Sequence, residues 1–338
     1  MSDQGFEEMT SSVNQTSVTN QTAVDGCVKV DTSVHPFFMV VYSLVFLVGF
    51  SLNAFIIKFY FCRAQRQASS SMTVYLKNLA AADFLLCLCL PIRITKYVSN
   101  IFTTRLVFCT FGFFAFFLNM YASILFMGYI AAYRYLKIVQ GSPAPHILQT
   151  VRAAHIISTV TWVFLLAVMS SYIILLFYSL KHSTSASISC KVLHSDQLAV
   201  LYKIIHTFFA VSFLFVLVSL IFFYYKTSRR VSEQQRQPMS SRSNPNPNPN
   251  PNPKLAKSHR NMLVLLCVFC FCFGPFHLFR IIDAFLWKNC SMRKVSYYLM
   301  EVTVMVSALN VCLDPIIYFI FGKAFRAQLS GRGGARNR

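Results

Sequence analysis

Five polar side chains, Asn53, Asp83, Ser123, Asn310 and Asp314, stand inside stretches that are otherwise almost wholly apolar. A charged group in hydrocarbon costs about 2.5–3.5 kcal/mol on insertion scales, so such residues need partners or a wet cavity. Pooled between helices, these five make a hydrated switch or a site for a small cation, with sodium at Asp83 as the metal candidate. A static hydrogen-bonded core is the structural alternative. A second set of groups points to anion capture. Arg93, Lys96, Arg105, Lys181, Lys191, Lys203, Arg280, Lys288, Arg293 and Lys294 fall at the ends of apolar stretches or in the segments joining them, against only Asp196, Asp283 and Glu301. Three acids cannot neutralise ten bases, and a cleft with low-dielectric walls concentrates anions. Scattered lysines among lipid headgroups are the plainer reading. Catalytic chemistry finds no support: there is no Ser/His/Asp set, no metal-binding His pair and no phosphate-cradling Gly loop. Cys267, Cys270 and Cys272 lack a second Cys or His cluster at ligand spacing. No cofactor is expected.

The elements that carry these residues are set by composition. Of 338 residues 55% are apolar or aromatic and 12% charged, about half the charged share of a soluble domain. The 34 phenylalanines and mean hydropathy of +0.52 also exclude a disordered chain. A spanning helix needs roughly 20 mostly apolar residues. Phe37 to Ile57, Leu106 to Tyr133, Ile156 to Leu180 and Thr207 to Tyr225 meet that need with no charged residue or histidine. Val74 to Tyr97, Asn261 to Trp287 and Val295 to Phe321 meet it with a few polar interruptions. Isolated strands cannot span lipid, because their backbone groups stay unpaired. The expected fold is an all-α membrane protein, a bundle of seven spans over residues 36–322. Residues 1–35 form an arm before it and 323–338 a short tail after it.

Lysine and arginine orient the bundle. The loops on one side, with the tail, hold 18 basic residues and a single acid, Glu233. That side is expected to be cytoplasmic, which puts the N-terminus outside, so the net charge of +20 reads as orientation and not as nucleic-acid binding. The arm has no basic stretch leading into an apolar core, so the first span is expected to act as the anchor. Asn14 and Asn20 head glycosylation sequons in the arm. Cys27, Cys109, Cys190 and Cys290 fall on the oxidising side, where three pairings are open. Residues 226–258 form the third cytoplasmic loop. It contains five Asn-Pro repeats from Asn244 to Pro253, expected to be an extended spacer because every second residue lacks an amide hydrogen.

With these residues in place, the chain resembles the rhodopsin-like (class A) G protein-coupled receptors across Phe37 to Arg326. The resemblance rests on Asn53, on Leu79-Ala80-Ala81-Ala82-Asp83, on Cys109, on Tyr133-Arg134-Tyr135 and on Trp162. Phe269-Cys270-Phe271-Cys272-Phe273-Gly274-Pro275 and Asp314-Pro315-Ile316-Ile317-Tyr318 continue it, in the family's order. It implies a Cys109–Cys190 bridge, a short amphipathic C-terminal helix and a heterotrimeric G protein as partner. It also implies a switch in which Phe269 and Phe273 repack about the kink at Pro275, Tyr318 turns inward and Arg134 is freed. Tyr133 stands where an acid normally pairs with that arginine, which predicts elevated basal signalling. The fifth span has no proline, so a bulge there is not expected. Phe116 replaces the aspartate of amine receptors, and the seventh span lacks a lysine for retinal.

Three strings narrow the resemblance to the purinergic ADP and nucleotide-sugar branch and its lysophosphatidylserine-receptor relative: Asn119 to Ile124, Pro275 to Arg280 and Ser307 to Tyr318. Both ligand classes carry phosphate, and the branch implies an inhibitory-class G protein. By that resemblance Arg280 contacts phosphate, for which a guanidinium is well shaped. His277 assists or instead bonds a neighbouring helix, and Tyr121 or Phe117 stacks a base or lines an acyl slot. Arg93, Lys96 and Lys203 complete the expected anion site. Asp283, three residues after Arg280, is placed to pair with it. The chain is expected at the plasma membrane. A secondary transporter is the rival from another class, but neither internal repeats nor paired broken helices are present.

Overall fold

The computed structural model describes residues 34–63, 70–98, 102–137, 147–181, 196–236, 253–286 and 290–322, and among these no strand occurs. Seven helices in this set are long and apolar enough to cross a membrane: His35–Phe61, Ser71–Val98, Phe108–Tyr135, Val151–Tyr178, Lys203–Glu233, Leu255–Ile282 and Val295–Phe321. They are the first to seventh spans below.

Each span sorts its residues by helical period. In the first, Phe38, Tyr42, Val45, Gly49, Asn53 and Ile56 recur every three or four positions and face inward, while Phe37, Val40, Leu44 and Leu47 are exposed. In a bilayer that exposed stripe meets acyl chains, as do Ile174 and Phe215. The third span is the hub, with 72% of its apolar window buried against 22% for the fourth. At Gly49 an added Cβ would lie 2.6 Å from Val311 and 3.2 Å from the Cys87 sulfur, so this glycine lets the first span close onto the second and seventh.

Each proline of the sixth and seventh spans leaves the carbonyl four residues earlier without its helical donor, and at Pro315 a neighbouring side chain compensates. Pro315 cannot donate to Val311 O, and Asn53 Nδ2 donates to it instead at 2.7 Å. Near Pro275, Ser307 Oγ donates to the carbonyl one residue beyond the freed Phe271 O, that of Cys272, at 2.8 Å. Asn53 thus ties the first span to the seventh, and Ser307 the seventh to the sixth, beside the two prolines.

Four features differ from the sequence expectation. The fifth helix does not stop at Tyr225 but runs unbroken from Asp196 to Arg236, because Lys, Arg, Glu and Gln are good helix formers in water and Arg229 pairs with Glu233 at 3.2 Å. The sixth begins at Pro253, a residue suited to a first turn, so the third loop is shorter than 226–258. The third span opens with a π-helical turn, Phe108–Gly112. The seventh breaks at Leu309, between helices Cys290–Ala308 and Asn310–Phe321, with Cys312 N donating to Leu309 O over three residues at 3.0 Å. As expected, the fifth helix shows no bulge.

Candidate functional site

The intramembrane polar residues do converge. Asn119 Nδ2 donates to Asp83 Oδ1 at 3.2 Å and Tyr318 Oη to Asp83 Oδ2 at 2.7 Å. Asn310 Nδ2 is shared between Asn119 Oδ1 at 3.1 Å and Ser123 Oγ at 3.3 Å. Asp83, Ser123, Asn310, Asp314 and Tyr318 are all fully buried. Asp314 lies beside Asp83, within reach of a carboxyl–carboxyl hydrogen bond if one of them carries a proton, while neither of its oxygens accepts from any other donor among the described residues. Asn53 stands apart from this cluster, occupied at Gly49 O and Val311 O. Asn119 takes its place.

At the end of the bundle away from Arg134, the described basic residues separate into two groups, the side chains of Arg105, Lys181, Lys191, Lys288, Arg293 and Lys294 lying outside the described set. Arg93 Nη2 donates to Glu301 Oε2 at 3.4 Å, Tyr97 Oη donates to the same oxygen at 2.6 Å, and Lys96 Nζ pairs with Oε1. The Arg93 guanidinium also lies over the rings of Tyr42, Phe108 and Phe116, 5.0–5.7 Å from their centroids. This tie joins the second and seventh spans. The other group centres on Arg280, whose Nη2 is 3.4 Å from His206 Nε2. Lys203 is exposed and joins neither.

Arg280 and His206 stand beside a narrow aromatic cleft lined by Phe113, Phe114, Phe117, Tyr121, Met169, Tyr172, Ile205 and His206. It opens between the third, fourth and fifth spans. Tyr121 stacks on Phe209 with centroids 3.5 Å apart, and Phe117 packs on Tyr121 and Phe113 at 6.0 Å. The Tyr121 hydroxyl and His277 Nε2 are buried without hydrogen-bond partners in the described residues. From His277 a chain of rings runs inward: His277 on Phe213 at 4.1 Å, Phe213 on Phe269 at 5.4 Å, and Phe269 edge-on to Phe273 at 5.5 Å. His277 therefore packs as part of this chain as well as standing beside the pocket.

At the opposite end, Arg134 Nη2 donates to Phe321 O at 3.2 Å, and Lys137 Nζ donates to Tyr133 Oη at 2.9 Å. Cys109 is disulfide-bonded. Asn14, Asn20, Cys27, Cys190, the Asn-Pro tract before Pro253 and the expected C-terminal helix lie outside the described residues, as do the side chains of Cys290 and Asp283. The sequence reading misses His206, Asn119 and the part played by Glu301. A histidine at the edge of an apolar run, an amide one turn before Ser123 and a lone acid opposite two bases are the signals that point to them.

A seven-span bundle with prolines inside the sixth and seventh spans at Pro275 and Pro315, a buried carboxyl pair and an arginine at the foot of the third span defines a membrane receptor. The family described as 7 transmembrane receptor (rhodopsin family) matches residues 52–318, and the chain belongs to it. It is 31% identical to G-protein coupled receptor 87 of Mus musculus over 318 residues, covering 92% of this chain and 83% of that one. It is 30% identical to purinoceptor 14 of Bos taurus over 295 residues, covering 85% and 82%. Identity to Probable G-protein coupled receptor 34 of Mus musculus is 28% over 293 residues, covering 84% and 73%. The protein is a multi-pass G protein-coupled receptor of the purinergic-like branch, not an enzyme, with a G protein as partner and a small molecule as ligand.

Proposed function

We propose that this receptor sits in the plasma membrane with its amino end outside and answers an extracellular phosphate-bearing amphiphile of the lysophospholipid class, signalling through an inhibitory-class G protein. The carrying observation is the pocket beside Arg280 and His206, walled by aromatic rings and aliphatic chains. Phosphate meets the guanidinium and imidazole, and the acyl chain enters the slot. Its burial contributes about 0.8 kcal/mol per methylene. Ligand occupancy then bears on the His277–Phe213–Phe269 rings, and it shifts the bundle only by its differential affinity for the two packings. Asp83 and Asp314 hold a sodium ion or share a proton in the resting packing, since Asp314 otherwise keeps two buried acceptors without a donor.

A nucleotide or nucleotide sugar is the second reading, favoured by the similarity to the bovine purinoceptor. It requires a ring face for the base: Tyr121 is already covered by Phe209, which leaves Phe117, edge-on to His206 at 5.1 Å, as the stacking surface. The test is a G-protein dissociation sensor in cells expressing the receptor. Lysophosphatidylserine and other lysophospholipids are compared with ADP and UDP-glucose. Lysophospholipids are expected to activate, Arg280→Ala to lower potency at least tenfold, and Met169→Trp to penalise long acyl chains more than short ones. Activation by nucleotides alone overturns the lipid reading.

A further inference from the structure

In the Tyr133-Arg134 pair a phenol stands where the family carries an acid, and among the described residues Arg134 meets the end of the seventh span. Tyr133 is buried and accepts from Lys137. Arg134 reaches across to the end of the seventh span, where Phe321 presents two acceptors. Its carbonyl receives Nη2 at 3.2 Å, and its ring lies under the guanidinium at 4.7 Å from the centroid. Both follow from where the helix stops. Gly322 turns to extended backbone with φ −79° and ψ 91°. Phe321 O is then one of the last four carbonyls, which have no donor within the helix. A cation there also meets the negative end of the helix dipole. Phe321 is only 2% exposed, and a cation over an aromatic face gains when water is excluded.

We propose that Phe321 is a positioning residue for G-protein engagement, holding Arg134 against the seventh span at rest in the place of a carboxylate. This rests on the reading that the Arg134 end faces the cytosol and meets the G protein. The hold couples the third span to the segment carrying Tyr318, so release of Arg134 and movement of that segment become one event. Basal signalling is then kept low despite Tyr133, opposite to the expectation from that residue alone.

The test uses the full-length receptor. Ligand-free G-protein activation, normalised to surface expression, is measured for Phe321→Ala, Phe321→Leu and Phe321→Tyr, each with and without Tyr133→Asp. An environment-sensitive non-natural amino acid at the exposed Lys257 reports sixth-span displacement in purified receptor with neither ligand nor G protein, so failure of the ligand reading leaves this readout intact. Phe321→Ala and Phe321→Leu are expected to raise basal activity several-fold and to shift the fluorophore, whereas Phe321→Tyr, which keeps the ring, stays at the native level. Tyr133→Asp is expected to change the native receptor little and to return both raised variants towards it, because a carboxylate now pairs with the arginine. The proposal falls if Phe321→Leu reaches the surface with native basal activity and an unshifted fluorophore, or if Tyr133→Asp lowers every variant by the same factor.

Discussion

Two carboxylates on the seventh span have opposite surroundings. Glu301 is met by three donors, from Arg93, Lys96 and Tyr97, whereas Asp314, about three and a half turns further along, accepts from none among the described residues. Both are buried. A buried polar group with full hydrogen bonding acts as a fixed tie between helices, and one left short of partners marks a place where something exchangeable belongs. The tie sits where the second and seventh spans meet near the ligand end. Asp314, whose nearest partner is a second carboxyl group, sits where the bundle must repack.

The contrast can be broken at several points. The largest effect is expected at the tie: Glu301→Ala leaves Arg93 buried without its counter-ion, and loss of one partner of a buried pair costs about 3–5 kcal/mol, read as thermal unfolding in detergent. Next comes Asp314. Replacing sodium with choline is expected to lower native stability by about 2.7 kcal/mol, the value for a ligand at 100 times its dissociation constant. Asp314→Asn should abolish that dependence without a comparable loss of its own, and an unchanged sodium dependence in this variant removes the assignment. Asn53→Ala is expected to cost about 1–3 kcal/mol by orphaning the Val311 carbonyl. In a Pro315→Ala background, where the helix can supply its own donor, most of that cost should vanish. The smallest effect belongs to Arg229→Ala. Its pair with Glu233 is solvent-exposed, worth about 0.3–0.5 kcal/mol, and circular dichroism should register no change in helix content.

These particulars show what a linear chain discloses. Hydropathy located all seven spans, since apolar runs of the needed length have no other stable home, and Asp83, Ser123, Asn310 and Asp314 announced their convergence by the cost of standing in lipid. Other features depend on azimuth and depth, which hydropathy does not encode. Arg93 and Lys96 read as ligand-facing bases until Glu301 is placed between them. Asn53 reads as a member of the polar cluster until Pro315 is seen to free the carbonyl it serves. Lys203 and His206 are three residues apart, yet only the histidine reaches Arg280. The helical ends were misplaced at Tyr225 and Asn261, because polarity marks where the bilayer stops and not where hydrogen bonding does.

The long fifth helix sets a clearance. At 1.5 Å per residue, the stretch from Tyr225 to Arg236 rises about 17 Å beyond the apolar region on the Arg134 side. A partner docking at Arg134 therefore approaches alongside a charged pillar, and the orientations in which it can arrive are limited before any contact forms.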